Sequence, residues 1–374
     1  MEHLEQVLRR DEQAIFSLRS LYRKYGYRQY KVNKFEEYDL YAHNKSFLVS
    51  ESVLTFTDTN GKLMALKPDV TLSIIKNSKD SEPGLQKLFY NENVYRVSGA
   101  YGGFKEIMQA GLECIGKLDL YATSEVVMLA ARSLATISDR WILDISHLGF
   151  LSALLDEMTD RADRKDAILR CIGEKNVHEL CAVCAASGIS EADCGRIQAL
   201  TQLHGPYGSY LSELAAISSN ARTDAALEEL QAIYAMMQAY GVERNMMLDF
   251  SIVNDMRYYN GVIFQGFVDG IPTGILSGGR YDSLMEKMGK QSEAIGFAVY
   301  LDQLERFQAT TDYDVDALLL YGDDVEPRQV LQAVKLLNDT GKTVRAERAQ
   351  PGSVHYRQLL QLGKGGLEIL ESDD

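Results

Sequence analysis

The stretch Lys105-Glu106-Ile107-Met108-Gln109-Ala110-Gly111-Leu112-Glu113-Cys114-Ile115 decides how the rest of the chain is read. Strand side chains alternate faces, so Met108, Ala110, Leu112 and Cys114 form one apolar side while Gln109, Gly111 and Glu113 share the other. A carboxylate and an amide flanking a glycine make a floor for a small polar ligand, the missing side chain leaving room for it. A solvated outer face accounts for the same pattern equally well on this strand alone.

Residues 86–96 supply a partner strand, joined through the Gly-rich Ser98-Gly99-Ala100-Tyr101-Gly102-Gly103. Upstream, Val53-Leu54-Thr55-Phe56-Thr57 and Leu63-Met64-Ala65-Leu66 flank Asp58-Thr59-Asn60-Gly61, whose Asn-Gly pair suits the positive φ angles of a tight hairpin. Pro68 is expected in the first turn of a helix through Leu72, Ile74 and Ile75. An amphipathic helix over residues 3–25 opens the chain, with Gly26 as its stop. Downstream the pattern predicts a helix over 117–137, a strand over 141–148 and a mostly helical stretch over 150–241. Strands near 246–253 and 261–268 follow, then a turn at Ser277-Gly278-Gly279, a short helix, a strand at 294–300 and a helix near 301–307. After Thr310-Thr311, residues 316–321, 327–340, 343–346, 355–362 and 367–370 read as strand, helix, strand, helix, strand.

The 374 residues suffice for two or three compact units, and 39 basic against 53 acidic residues give a net charge of −14. That excess opposes a broad nucleic-acid or anionic-membrane footprint, although one basic groove can sit inside an acidic total. No run approaches the roughly 18 apolar residues of a membrane span. The opening residues lack the apolar core of a secretory signal, so a cytoplasmic location is expected. Five cysteines, an odd number, suit reduced thiols. Cys171, Cys181, Cys184 and Cys194, with His178, raise a zinc site, but the CxxC pair sits in helix-like sequence without knuckle glycines; packed thiols and no metal are expected. No Walker loop, HExxH or GxSxG occurs, and no cofactor is expected.

Two further clusters stand out. Leu66-Lys67-Pro68-Asp69-Val70-Thr71 puts an acid and a hydroxyl at the hairpin-to-helix junction, where they can hold an ammonium or cap the helix. Met256-Arg257-Tyr258-Tyr259-Asn260-Gly261 and Ser277-Gly278-Gly279-Arg280-Tyr281-Asp282 set tyrosines beside glycines, a pattern that packed edges also produce.

Taken in order over residues 1–308, these segments resemble the catalytic core of histidyl-tRNA synthetase, a class II synthetase. Residues 66–71 look like its Leu-Arg-Pro-Glu-Gly-Thr segment, and 89–116 its second class motif with the strand behind it. Tyr258-Tyr259-Asn260-Gly261-Val262-Ile263-Phe264 resembles a histidine-specific signature, and 278–298 the approach to the third motif. The resemblance implies an α+β fold: a mixed, mainly antiparallel sheet flanked by helices, with a helical insertion at about 150–241 inside a core of 1–310. The acidic unit at 311–374 looks like a shortened remnant of an anticodon-binding domain; residues 309–374 carry 7 basic and 12 acidic residues.

The departures fall on ATP handling. The second-motif arginine persists as Arg96, but its glutamate position is Ser98, the third-motif arginine position is Gln303, and the extra histidine-site arginine position is Asn254, with Arg257 close by. Adenylate formation concentrates negative charge on phosphate, and each fixed donor lost typically costs about 10²–10³ in rate. The resemblance keeps the amino-acid half: Asp69 and Thr71 for an ammonium, Gln109 and Glu113 on the pocket face, and Arg96, Tyr258, Tyr259 and Tyr281 around them. A core that keeps histidine recognition and drops ATP chemistry resembles the ATP phosphoribosyltransferase regulatory subunits of histidine biosynthesis. That resemblance implies a non-catalytic chain that binds L-histidine, dimerises through its core and serves a short catalytic phosphoribosyltransferase in a hetero-oligomer, with histidine feedback and no tRNA. A divergent histidyl-tRNA synthetase, or a synthetase-derived amino-acid ligase or binding module, is the alternative.

Overall fold

The strands Gln86–Val97 and Phe104–Gly116 pair antiparallel along their length, with Phe89 opposite Leu112 and Tyr90 opposite Gly111. The computed structural model describes residues 8–48, 52–80, 84–97, 103–253, 258–305 and 313–373. In it this hairpin sits inside a nine-stranded sheet. The order is Arg28–Gln29, Gln86–Val97, Phe104–Gly116, Glu293–Tyr300, Leu276–Arg280, Val262–Val268, Trp141–His147, Met246–Asp249 and His204–Pro206. Arg28–Gln29 joins its neighbour in parallel, as does Met246–Asp249 with Trp141–His147, and every other pairing is antiparallel.

One face of the sheet is covered by the helices Arg10–Lys24 and Leu120–Ile137. Tyr22 of the first packs on Phe89 and Phe297, and its hydroxyl meets Ser133 of the second at 3.0 Å. The other face lies under a cluster that includes Tyr41, Leu72, Ile75 and Tyr281. With both faces covered, Gln109 and Glu113 are each only 2% exposed, so a solvated outer face is ruled out for them.

The hairpin of Thr55–Thr57 and Leu63–Leu66 forms over Asn60-Gly61, with Gly61 at φ +81°, and the strand Phe35–Glu37 completes its small sheet. Pro68 lies outside the helix that follows, which runs Thr71–Asn77. Asp69 explains the later start: its Oδ1 accepts the Leu72 N–H at 2.9 Å, ending the non-helical lead-in. Ser277-Gly278-Gly279 is not a turn but the middle of the strand Leu276–Arg280. A Cβ on Gly278 would come within 2.3 Å of the Phe297 Cβ, so these glycines serve close packing in the sheet.

Six helices from Leu148–Met158 to Ala221–Tyr240 fill the insertion, and the short strand His204–Pro206 pairs with Met246–Asp249. Cys181 and Cys184 lie on the helix Val177–Ala186. Among the described residues no cluster of His, Cys, Asp and Glu is arranged to hold a metal, and no helix is long and apolar enough to cross a membrane.

Contacts divide the chain into Met1–Arg306 and Phe307–Asp374. The second unit has a four-stranded sheet, ordered Val344–Glu347, Val315–Tyr321, Tyr356–Gly363 and Gly366–Ser372, with the helix Pro327–Asp339 packed through Leu337 onto Ala317, Leu319 and Leu360. Residues 355–362, expected as a helix, are a strand here. Leu359, Leu360 and Leu362 fit either period, and Gly366 at φ +111° closes a hairpin that commits the segment to the sheet.

Candidate functional site

On the face of the nine-stranded sheet opposite the helices Arg10–Lys24 and Leu120–Ile137 is a cavity of about 110 Å³. Asp69, Thr71, Arg96, Gln109, Glu113, Tyr258, Tyr259 and Tyr281 all line it, so the structure brings together every site residue expected from the sequence. Ser98, Asn254 and Arg257 lie outside the described residues.

Strand register builds the floor. Glu113 stands opposite Gly296, Gly296 opposite Gly279, and Tyr90 opposite Gly111. A Cβ on Gly296 would fall 1.8 Å from Glu113 Oε2, one on Gly279 2.9 Å from the Tyr259 ring, and one on Gly111 2.5 Å from the Tyr90 hydroxyl. The space beside Gly111 is therefore taken by Tyr90 rather than left for a ligand. Each glycine seats one side chain of the site flat against the sheet.

Glu113 is buried between two hydroxyl donors: Thr71 Oγ1 to Oε1 at 2.8 Å and the Tyr281 hydroxyl to Oε2 at 2.5 Å. No lysine or arginine pairs with it among the described residues. Burial pushes its carboxyl up to about 8; the Tyr281 and Thr71 hydrogen bonds oppose that rise and nearby Asp69 adds to it. Burial also raises Asp69, against its bond from Leu72 and the charge of Arg96. Arg96 donates from Nε to the Pro68 carbonyl at 3.0 Å, which fixes the guanidinium beside Asp69.

Tyr258 packs against Tyr259 and Tyr281 with ring centroids 4.6 and 5.7 Å apart. Burial drives the Tyr258 and Tyr281 phenols well above their ordinary value, so both remain O–H donors near neutral pH. The buried Gln109 amide nitrogen has no hydrogen-bond partner among the described residues. Two carboxyls and one guanidinium around neutral hydroxyls and an open amide suit a small zwitterion bearing an additional N–H donor.

Sequence reasoning missed Tyr90, Gln265, Ser277 and Tyr300, which also line the cavity. Ser277 stands opposite both Gln265 and Ala298, and Tyr300 opposite Gln109, a proximity that only strand register reveals. At the far end of the strand Phe104–Gly116, Lys105 pairs with Asp302, and Gln303 Nε2 donates to the same carboxylate at 3.0 Å. Gln303, which the sequence resemblance sets at the third-motif arginine position, is thus an amide turned onto a neighbouring acid.

The chain matches the family model of histidyl-tRNA synthetase over residues 1–304. It is 31% identical over 289 residues to an ATP phosphoribosyltransferase regulatory subunit of Alkaliphilus metalliredigens, covering 76% of this chain and 73% of the relative. Among solved structures it is similar to the Bacillus halodurans ATP phosphoribosyltransferase regulatory subunit/histidyl-tRNA synthetase, with a TM-score of 0.74 and 24% identity over 94% of this chain and 93% of that one. It is also similar to a chain of the ATP phosphoribosyl transferase (HisG:HisZ) complex from Thermotoga maritima, with a TM-score of 0.62 and 21% identity over 78% and 97%. The likeness to these two structures is one of fold.

Proposed function

Because the chain belongs to the ATP phosphoribosyltransferase regulatory subunit family, built on a histidyl-tRNA synthetase-like core, we propose that it binds free L-histidine in this cavity and conveys that binding to a short catalytic subunit. The family works in histidine biosynthesis, and the similar Thermotoga maritima chain comes from a two-component complex. In this proposal the catalytic partner transfers the phosphoribosyl group in the cytoplasm. The present chain, dimerised through its core, performs no chemistry and needs no cofactor.

The observation that carries the proposal is Glu113, a buried carboxyl held by two neutral hydroxyls and facing the cavity without a cation. An imidazole N–H supplies the donor that such a group lacks, and a tyrosine hydroxyl serves the second ring nitrogen. Asp69 then meets the ligand's ammonium and Arg96 its carboxylate. Nucleotide binding gains nothing from Gln303, whose amide is spent on Asp302. Histidine inhibits the assembly by favouring one arrangement of it, with a strength bounded by its differential affinity for the two states.

Calorimetry across the amino acids tests the ligand: L-histidine alone should bind, and no heat at millimolar histidine defeats the assignment. Co-purification with a short catalytic subunit, assayed with and without this chain and with and without histidine, tests the regulation. Histidine-dependent release of pyrophosphate from ATP by this chain alone would restore the synthetase reading.

A further inference from the structure

We propose that the helical insertion is a working part of the cavity: Glu229, through His147, and Lys175, through Asp249, are positioning residues for the loop that carries Tyr258 and Tyr259. This inference rests on the histidine-site reading above and adds the element that sets the shape of the site.

The loop is gripped on both sides. After the tyrosines, the Leu148 N–H donates to the Gly261 carbonyl at 2.9 Å, so the loop rests on the first turn of the insertion helix Leu148–Met158. Leu148, Ile252 and Ile263 form a buried cluster on which Tyr259 packs, and Ile252, Ile263 and Tyr259 also line the cavity. His147 caps that helix: its Nδ1 accepts the Phe150 N–H at 3.1 Å. Nδ1 therefore carries no proton, so in the neutral ring Nε2 bears it and donates to Glu229 Oε2 at 3.0 Å. Glu229 belongs to the insertion's last helix, Ala221–Tyr240.

Before the tyrosines, Asp249 Oδ2 takes Lys175 Nζ at 2.9 Å and His204 Nδ1 at 3.0 Å, both from the insertion, while Oδ1 accepts the Ser251 N–H at 2.8 Å. Lys175 holds a φ of +52°, which an L side chain adopts at a cost, and its ion pair ties that strained turn to the sheet. A Cβ on Gly173 would come within 2.7 Å of Val253, so the end of the helix Ala162–Gly173 presses on the same segment. The insertion thus meets the chain before the tyrosine pair through an ion pair and after it through a backbone hydrogen bond, beside the His147–Glu229 contact, with close packing on both sides. Movement of the insertion shifts the wall of the cavity, and a ligand that orders the wall resists that movement.

The test compares Glu229→Ala, Glu229→Gln, Lys175→Met and, as a control one residue away on the exposed side, Glu228→Ala. Two readouts are taken on the full chain: amide hydrogen exchange of segment 258–264 without ligand, and L-histidine affinity by calorimetry. Glu229→Ala and Lys175→Met should speed exchange in that segment, with exchange in the rest of the core unchanged, and weaken histidine by about fivefold or more. Glu229→Gln keeps an acceptor for the His147 N–H and should restore both readouts, and Glu228→Ala should leave them alone. Unchanged exchange in Glu229→Ala overturns the positioning role whether or not histidine binds. Faster exchange in Glu229→Ala, where the parent chain binds no histidine, supports the coupling and removes the ligand assignment alone. A drop in melting temperature with exchange raised throughout the core reduces both contacts to fold stability and overturns the inference.

Discussion

The two ends of the strand Phe104–Gly116 hold carboxylates on opposite terms. Near its start, Asp302 takes both the Lys105 ammonium and the Gln303 amide on Oδ2, while its buried Oδ1 has no hydrogen-bond partner among the described residues. Near its end, Glu113 receives two neutral hydroxyls and no cation, and burial holds its carboxyl far above the ordinary range. The first arrangement spends its donors internally and leaves little to attract a phosphate. The second leaves a carboxyl that no cation pairs with, which an incoming N–H can meet. In the reading proposed above, the end assigned to nucleotide in the synthetase-like core has its donors spent, and the end assigned to the amino acid stays open.

The contrast breaks most easily at Glu113. Glu113→Ala removes an acceptor for a ligand N–H, worth about 1.5–3 kcal/mol, and should weaken histidine roughly ten- to hundredfold with the fold intact. Unchanged affinity in calorimetry would mean the open end is only inherited architecture. Gly296→Ala attacks the same carboxylate from beneath: the added methyl collides with Oε2 and should cost about 1–3 kcal/mol of stability, read from the denaturant midpoint, together with some affinity. A variant as stable as the parent would show that Glu113 does not need that seat. At the closed end, Lys105→Met leaves Asp302 without its cation and should cost about 1 kcal/mol in chemical denaturation, with histidine binding untouched. A loss of binding there would join the two ends that the structure keeps apart.

The remaining effect is on pH dependence. Glu113 titrates near 8 folded against an ordinary 4.5, so between those values the folded chain keeps a proton that the unfolded chain releases. Its contribution to stability is therefore greatest below 4.5 and is lost as pH rises toward 8. Asp144, raised to about 6 by burial and by Asp249, acts in the same direction over a lower window. Melting temperatures of the ligand-free chain should fall less steeply from pH 6 to 8 in Glu113→Gln than in the parent. Equal slopes would mean that Glu113 is ionised in the empty site.

The eight expected site residues lie in short segments whose order carries the resemblance, and all eight line one cavity. What escaped is physical in kind. Gly278 and Gly279 look like a turn until the neighbouring strands are known, because the reason for a glycine there is an atom from elsewhere in the chain. Tyr90, Gln265, Ser277 and Tyr300 are unremarkable strand residues until register stacks them on one face. Residues 355–362 carry leucines compatible with either period, and the hairpin partner Gly366–Ser372 settles the matter. Asp69 was open between ligand and cap; the structure gives it a cap contact and a place on the cavity wall together.

The glycines under the site bear on how it can change. A floor of bare peptide cannot be dug deeper, since no side chain remains there to trim, and every substitution adds matter beneath Glu113, Tyr259 or Tyr90. Redesign for a bulkier guest must therefore thin the walls, with Tyr258 the first candidate, and leave the floor alone. Random mutagenesis should meet the same asymmetry: tolerant walls around an intolerant base.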